Sequence, residues 1–283
     1  MNTWTVRCLS EAVSPITHTS GTAGNVSVIA REPVVTDRGV VFLPFLSGNA
    51  MRHRLVREPG MRWLIAAYEL GGKLSLDQLN FLMHGGNLTK STARENTKRI
   101  AEMHRLWPLL RLVGGSLPDQ ILAGCLDVWR GVLVCEENRP CLERIINGLL
   151  PEEKLYPAET WISEYQYTRG DAAKTGMAKD QLVLDSNLMI YSGQCVNRGA
   201  MFVHGFVLKH CTELELGALF WSLRLWQATG GTVGGMAAKG HGRLKLYLLD
   251  YDEKKQEELC QKYTQYALEV KDEAVAWLQE CFA

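Results

Sequence analysis

The residues most able to do chemistry cluster around a glycine-rich run, Gly230–Gly242 (GGTVGGMAAKGHG), which holds six glycines in thirteen residues. Lys239, His241 and Arg243 are interleaved with them. Glycine permits positive φ and lets a backbone approach another chain closely. Successive free N–H groups beside cations suit a phosphate backbone. The run sits between a predicted helix and a predicted strand. Phosphate loops and dinucleotide fingerprints have the opposite order, strand to loop to helix, and neither GK[ST] nor GxGxxG occurs here. A flexible surface loop is the plainer reading of the same composition.

Two further segments are of the same kind. In Ser47–Arg57 (SGNAMRHRLVR), Arg52, Arg54 and Arg57 follow a predicted helix start at which Ser47 or Asn49 is the cap. Free N–H groups at such a start and nearby guanidiniums both favour an anion. A solvated basic face is the alternative. In Tyr165–Lys179, the cations Arg169, Lys174 and Lys179 lie among Tyr165, Tyr167 and Met177. Flat and apolar side chains mixed with cations suit single-stranded RNA, whose bases stack on them. Signs of catalysis are sparse. The seven histidines are scattered, with no HExxH, GxSxG or metal-spaced cluster.

The elements that must position these groups are read from periodicity. Thr3–Cys8, Val26–Pro33 and Val40–Phe45 read as strands. The helix after Ser47 is expected to run to about Arg57, with Met51 and Leu55 inward, and to stop at Pro59 and Gly60. Arg62–Leu70, Ser75–Met83 and Thr92–His104 read as helices, and Ile121–Cys135 as strand-like. Glu136–Asp185 reads as irregular, ending in an exposed projecting loop. Val183–Ile190 and Ala200–Leu208 are strand-like. Thr212 and Glu215 form a capping box ahead of a helix to Trp226, followed by the glycine run and a strand over Arg243–Leu249. One long amphipathic helix is expected over 253–281. The order strand, helix, strand, insertion, strand, helix, strand predicts an α+β fold, a ferredoxin-like βαββαβ core with large insertions.

With 283 residues, 46% of them hydrophobic, the chain can bury one large core. No apolar run is long enough for a membrane span, and the N-terminus lacks a signal-peptide pattern, so a cytoplasmic protein is expected. The eight cysteines form no CxxC pair and are expected to be reduced thiols; no cofactor or metal is expected. Net charge is zero but uneven. Residues 1–120 carry 14 Lys/Arg against 9 Asp/Glu, whereas residues 251–283 carry 4 against 8. A polyanion is therefore expected to meet the N-terminal part.

Three of these segments, in order, resemble one family. Phe42–Arg57 (FLPFLSGNAMRHRLVR), Ser186–Leu208 (SNLMIYSGQCVNRGAMFVHGFVL), and Gly234–Gly242 with the RLKL that follows are similar to the first helix, a strand pair and the glycine-rich loop of the RAMP superfamily. These are the RNA-binding subunits of class 1 CRISPR effector complexes. The SGN sequence and the preceding REPVV look most similar to type IV backbone proteins, with type III next. The resemblance implies a single domain over 1–283. It divides into a ferredoxin-like (RRM-like) palm, a helical finger within about 62–113, a thumb at about 156–185 and a C-terminal helix at about 253–283. It implies copies stacked head to tail on crRNA, the guide, beside other effector subunits, with the target nucleic acid reached through the guide. Ser47, Asn49, Arg52, Arg54 and Arg57, with Gly234, Gly235, Lys239, His241 and Arg243, would then lie near the guide. Tyr167, Arg169, Lys174 and Met177 would be thumb contacts. Type III backbone proteins place a target-cleaving aspartate where this chain has Arg31, so no cleavage is expected. A register slip of one would make Glu32 the candidate acid. A metal-independent endoribonuclease of the same superfamily, processing the guide precursor, is the alternative; its general acid and base near a ribose 2′-OH would be sought at His18 and His241.

Overall fold

The computed structural model describes residues 2–23, 26–89, 96–146, 148–168 and 190–282. Arg169, Lys174, Met177 and the expected strand start at Val183 lie outside them.

Strands β1 (Asn2–Ala12), β2 (Thr19–Ala23), β3 (Val26–Ile29), β4 (Arg31–Thr36) and β5 (Gly39–Leu46) come first. A continuous helical run follows: α1 (Gly48–Met51), a widened π-type stretch Arg52–Arg57, and α2 (Glu58–Ala67). The helix therefore does not stop at Pro59, as expected from sequence. Proline cannot donate to the carbonyl four residues back, and its ring crowds that carbonyl. Here the Glu58 N–H reaches back five residues to the His53 carbonyl, and this wider turn admits Pro59 in the first turn of α2.

Helices α3 (Leu76–His84), α4 (Thr97–Leu106) and α5 (Pro108–Val113) lead to the short strands β6 (Gly115–Ser116), β7 (Ile121–Leu122), β8 (Leu126–Val128) and β9 (Gly131–Leu133). The stretch expected to be irregular instead holds α6 (Arg139–Ile146), with Pro140 in its first turn, and β10 (Ile162–Thr168). The C-terminal half comprises β11 (Ile190–Val196), β12 (Met201–Cys211), α7 (Glu213–Ala228), β13 (Leu244–Leu248), α8 (Glu253–Glu269) and α9 (Lys271–Cys281). The expected single C-terminal helix is thus two, broken at Val270. The Thr212–Glu215 capping box of α7 is present, with the Thr212 N–H donating to Glu215 Oε2 at 2.6 Å.

The main sheet has the order β13-β1-β12-β9-β5-β4, with β8 also paired to β12, and its pairings are antiparallel. A second sheet has the order β10-β11-β3-β2, in which β11 and β3 run parallel. The fold is α+β. Alternation along the central strands sends side chains to two faces. Val6, Cys8, Phe202 and Phe206 join the larger core with Leu216, Leu219, Phe220 and Leu223 of α7. Leu9, Met201 and Val203 pack on the opposite face with Leu142 and Ile146 of α6. Truncating a fully buried α7 leucine such as Leu219 would cost about 2–5 kcal/mol.

Candidate nucleic-acid interface

Two residues in the turn after β1 join the segments that carry the cations. The backbone N–H of Ser47 donates to His18 Nε2 at 3.2 Å. A backbone N–H can only donate, so Nε2 is unprotonated and His18 is neutral; burial lowers its pKa further. One residue earlier, the Thr17 carbonyl accepts from the Gly235 N–H at 2.8 Å, and the Thr17 hydroxyl bonds His241 Nδ1 at 2.6 Å. Thr17 and His18 therefore pin the glycine-rich loop and the start of the first helix to one place. Gly234 is required there: its φ is +75°, and a Cβ would lie 2.4 Å from the Thr17 carbonyl oxygen.

On the helix side, Ser47 Oγ caps α1 by accepting from the Ala50 N–H. Ser47, Asn49 and Arg52 line an open cleft of about 540 Å³, walled on the far side by Leu126, Asp127 and Val128 of β8. Arg130 also lines it, its guanidinium 4.9 Å from the Phe45 ring centroid. Asn49 is exposed and Arg52 half-buried, and among the described residues neither side chain has a hydrogen-bond or ion-pair partner.

On the loop side, the Lys239 ammonium sits 2.9 Å from the centroid of the Tyr167 ring. Tyr167 is nearly parallel to Tyr165 (6.3 Å between centroids, 12°) and to Tyr191 (5.2 Å, 10°). The His241 ring meets Tyr165 edge-on at 5.1 Å. Register explains the ladder. Tyr165 and Tyr167 are two apart on β10 and share a face, and Tyr191 is directly opposite Tyr167 on β11. Tyr167 thus stands on a strand, not in the expected projecting loop. Burial and the Lys239 charge both lower the His241 pKa. Arg243 is exposed beside the loop, its backbone N–H donating to Ser14 Oγ at 3.0 Å.

Two predicted contacts do not share this surface. Arg57 is 5% exposed, and its guanidinium donates to the carbonyls of Phe81, Leu82, Val113 and Gly114. The wide turn that admits Pro59 also rotates Arg57 inward, off the Arg54 face. Burial and the neighbouring Arg52 push its pKa down to about 10. Arg54 is exposed but ion-pairs with Glu58 at 2.8 Å, and it lines a different cleft with Trp63 and Trp226. Glu32, the alternative candidate acid, ion-pairs with Arg130, and Arg31 donates to Gln194 Oε1 at 3.2 Å. Tyr165, named from sequence among the stacking side chains, is on this surface, and Tyr191, Phe45 and Arg130 complete it without having been singled out from sequence as contacts. The Tyr165-x-Tyr167 alternation was the available signal for a strand-borne platform.

No protein-family profile matches the chain, and no curated protein matches it. Among solved structures it is similar to a chain described as "Type IV-B CRISPR Complex". The TM-score is 0.54 at 16% identity, covering 87% of this chain and 91% of that one. At that identity the likeness is one of fold. Among the described residues, no helix is long and apolar enough to cross a membrane.

Proposed function

We propose that the chain is a non-catalytic crRNA-binding backbone subunit of a CRISPR interference complex, with copies stacking head to tail along the guide. The observation that carries this reading is the convergence, around Thr17 and His18, of the first-helix residues, the glycine-rich loop and the tyrosine ladder. Cations and stacking rings on one surface are what a single-stranded guide requires. The core supports the same reading. Taking β1, the helical run, β8–β9, β12, α7 and β13 in turn gives the spatial order β13-β1-β12-β9, that of a ferredoxin-like palm. The fold likeness to a Type IV-B CRISPR complex chain agrees. Residues 62–113, largely helical, are read as the finger, and 156–185 as the thumb, of which β10 is the described base. The β4–β5 hairpin at one edge of the main sheet exposes Val35 (82%), Val40 and Phe42, an apolar edge suited to the next copy in a stack. The other effector subunits would bind the ends of such a stack, and the target nucleic acid would pair with the guide. Arg31 at the position where type III proteins carry the cleaving acid, with Glu32 beside it paired to Arg130, supports a subunit that does not cleave the target.

The test is co-expression with the native CRISPR array, size-exclusion chromatography at 260 and 280 nm, and sequencing of the bound RNA. A high-mass peak with RNA of uniform, array-derived length supports the proposal, and the R52A/K239A double variant should lose the RNA. A monomer without RNA would refute it. One observation favours a second reading, a precursor-processing endoribonuclease: His241 lies against Tyr165 and near Lys239, a set able to move protons at a 2′-OH. His241→Ala separates the two. Unprocessed precursor in the variant would indicate the nuclease, and RNA of unchanged length the backbone subunit.

A further inference from the structure

The sulfurs of Cys125 and Cys211 are 3.0 Å apart, although the two residues are 86 apart in sequence. Cys125 precedes β8, whose Leu126 pairs with Leu208, and its carbonyl accepts from the Lys209 N–H at 2.9 Å. Regular continuation of that ladder would set Cys211 diagonally away from Cys125. His210, however, has a φ of +54°, rare for a residue with a Cβ, and it bends the end of β12. The bend is held by Arg111, which donates to the His210 carbonyl and to Glu215.

We propose that Cys125 and Cys211 are a reversible dithiol–disulfide site, oxidised by hydroperoxides. Cys125 is partly exposed and Cys211 buried, so an oxidant meets Cys125 first. The hydrogen bond from Cys211 holds the Cys125 thiol below its ordinary pKa, and the Arg111 charge acts in the same direction; the Cys211 thiol is pushed up. The Cys125 thiolate attacks one oxygen of the peroxide, the O–O bond breaks, and Cys125 becomes a sulfenic acid while the other oxygen leaves as an alcohol or water. Cys211 then attacks the Cys125 sulfur. The S–S bond forms, the S–O bond breaks, and the hydroxyl leaves as water with the Cys211 proton. In sum, two thiols and one hydroperoxide give a disulfide, an alcohol and water; a thiol reductant reverses it. Cys125 stands one residue before Leu126, the first residue of β8 lining the cleft beside Arg52. A cross-link would fix that wall, a consequence that rests on the function proposed above, whereas the thiol chemistry does not.

The experiment is peptide mapping of the full-length, pre-reduced chain after timed hydrogen peroxide treatment and alkylation, without reduction. A linked Cys125–Cys211 peptide, lighter by two hydrogens than its parts, should form before the exposed Cys141 is oxidised and vanish with dithiothreitol. In Cys211→Ser, oxidation should stop at a dimedone-reactive Cys125. Oxidation of Cys141 first, with Cys125 and Cys211 both still alkylated, would overturn the proposal, and the wild-type chain alone decides between these outcomes. RNA binding is not the readout, so failure here is distinct from failure of the backbone reading.

Discussion

Arg57 and Arg52 are five residues apart in one basic helix, Arg57 buried on four carbonyls and Arg52 lining the cleft beside Asn49, so under the function proposed above, substituting each by alanine separates stability from binding. Arg57 makes four hydrogen bonds to carbonyls. At about 1.5–3 kcal/mol for each bond to a charged donor, the gross contribution is about 6–12 kcal/mol. Burying the charge opposes this. A pKa held down at about 10, well below the ordinary guanidinium range, is a cost of about 3 kcal/mol. Water entering the vacated space would satisfy some carbonyls, so the net loss for Arg57→Ala should fall at the lower end, about 3–5 kcal/mol. For 283 residues the unfolding entropy is about 0.6 kcal/mol per degree, which converts this loss to a Tm drop of about 5–8 °C. Arg57→Lys should recover little of it, because one ammonium cannot reach four carbonyls on two segments. Arg52→Ala should leave Tm within about a degree or two, as surface changes usually do. Its affinity for single-stranded RNA, read by fluorescence anisotropy, should fall. The slope of log K against log salt should shrink by about 0.7, the value for one phosphate contact. The reasoning is refuted if Arg57→Ala keeps the wild-type Tm and flattens the salt dependence, because its guanidinium would then be on phosphate.

Three more predictions follow from the same surface and core. Gly234→Ala places a Cβ against the Thr17 carbonyl at a positive φ and should cost about 1–3 kcal/mol while releasing the loop. Gly235→Ala, whose Cβ would be 3.7 Å from its nearest neighbour, should be near neutral; differential scanning fluorimetry of the pair would contradict the docked loop if the two match. Tyr167→Ala should weaken single-stranded RNA binding by about 1–3 kcal/mol with the salt slope unchanged, as loss of stacking does, whereas Lys239→Ala should flatten the slope. His204 is fully buried against Ser10, and burial lowers its pKa to about 3. Between about pH 6.5 and 3 the unfolded chain binds a proton there that the native chain does not. Stability should therefore fall with pH by about 1.4 kcal/mol per unit, about 2 kcal/mol from pH 6.5 to 5. His204→Gln should remove that contribution, and denaturant melts with equal pH slopes for both chains would contradict a neutral buried imidazole.

The split between what could be read from the sequence and what could not follows the range of the interactions. The Thr212–Glu215 box, the alternation of β1 and β12 and the order of elements are local signals, and each places its element within a few residues. The glycine-rich loop was legible as a loop for the same reason, but its partner was not. Thr17, more than two hundred residues away, shows no feature in the sequence that marks it as the loop's dock. The end of Glu136–Asp185 was expected to be a projecting loop because it has few large aliphatic residues and several basic ones, yet Tyr165–Thr168 alternate and pair with β11, so neighbouring composition outweighed period. Val270 breaks the C-terminal helix without a glycine or proline, so the amphipathic pattern runs through the bend unmarked. Arg57 is the most instructive case, because two local rules led to the same error. Proline ends helices, and arginines three apart share a face; both hold for a regular helix. Once one turn widens to accommodate Pro59, the helix continues and the face rotates, so the residue expected at the phosphate becomes the residue that ties the helical run to Phe81 and Gly114. A proline inside a basic helical segment is therefore better read as a sign of a possible register change than as a stop. The arginines that follow such a change are assigned by what surrounds them, not by their spacing.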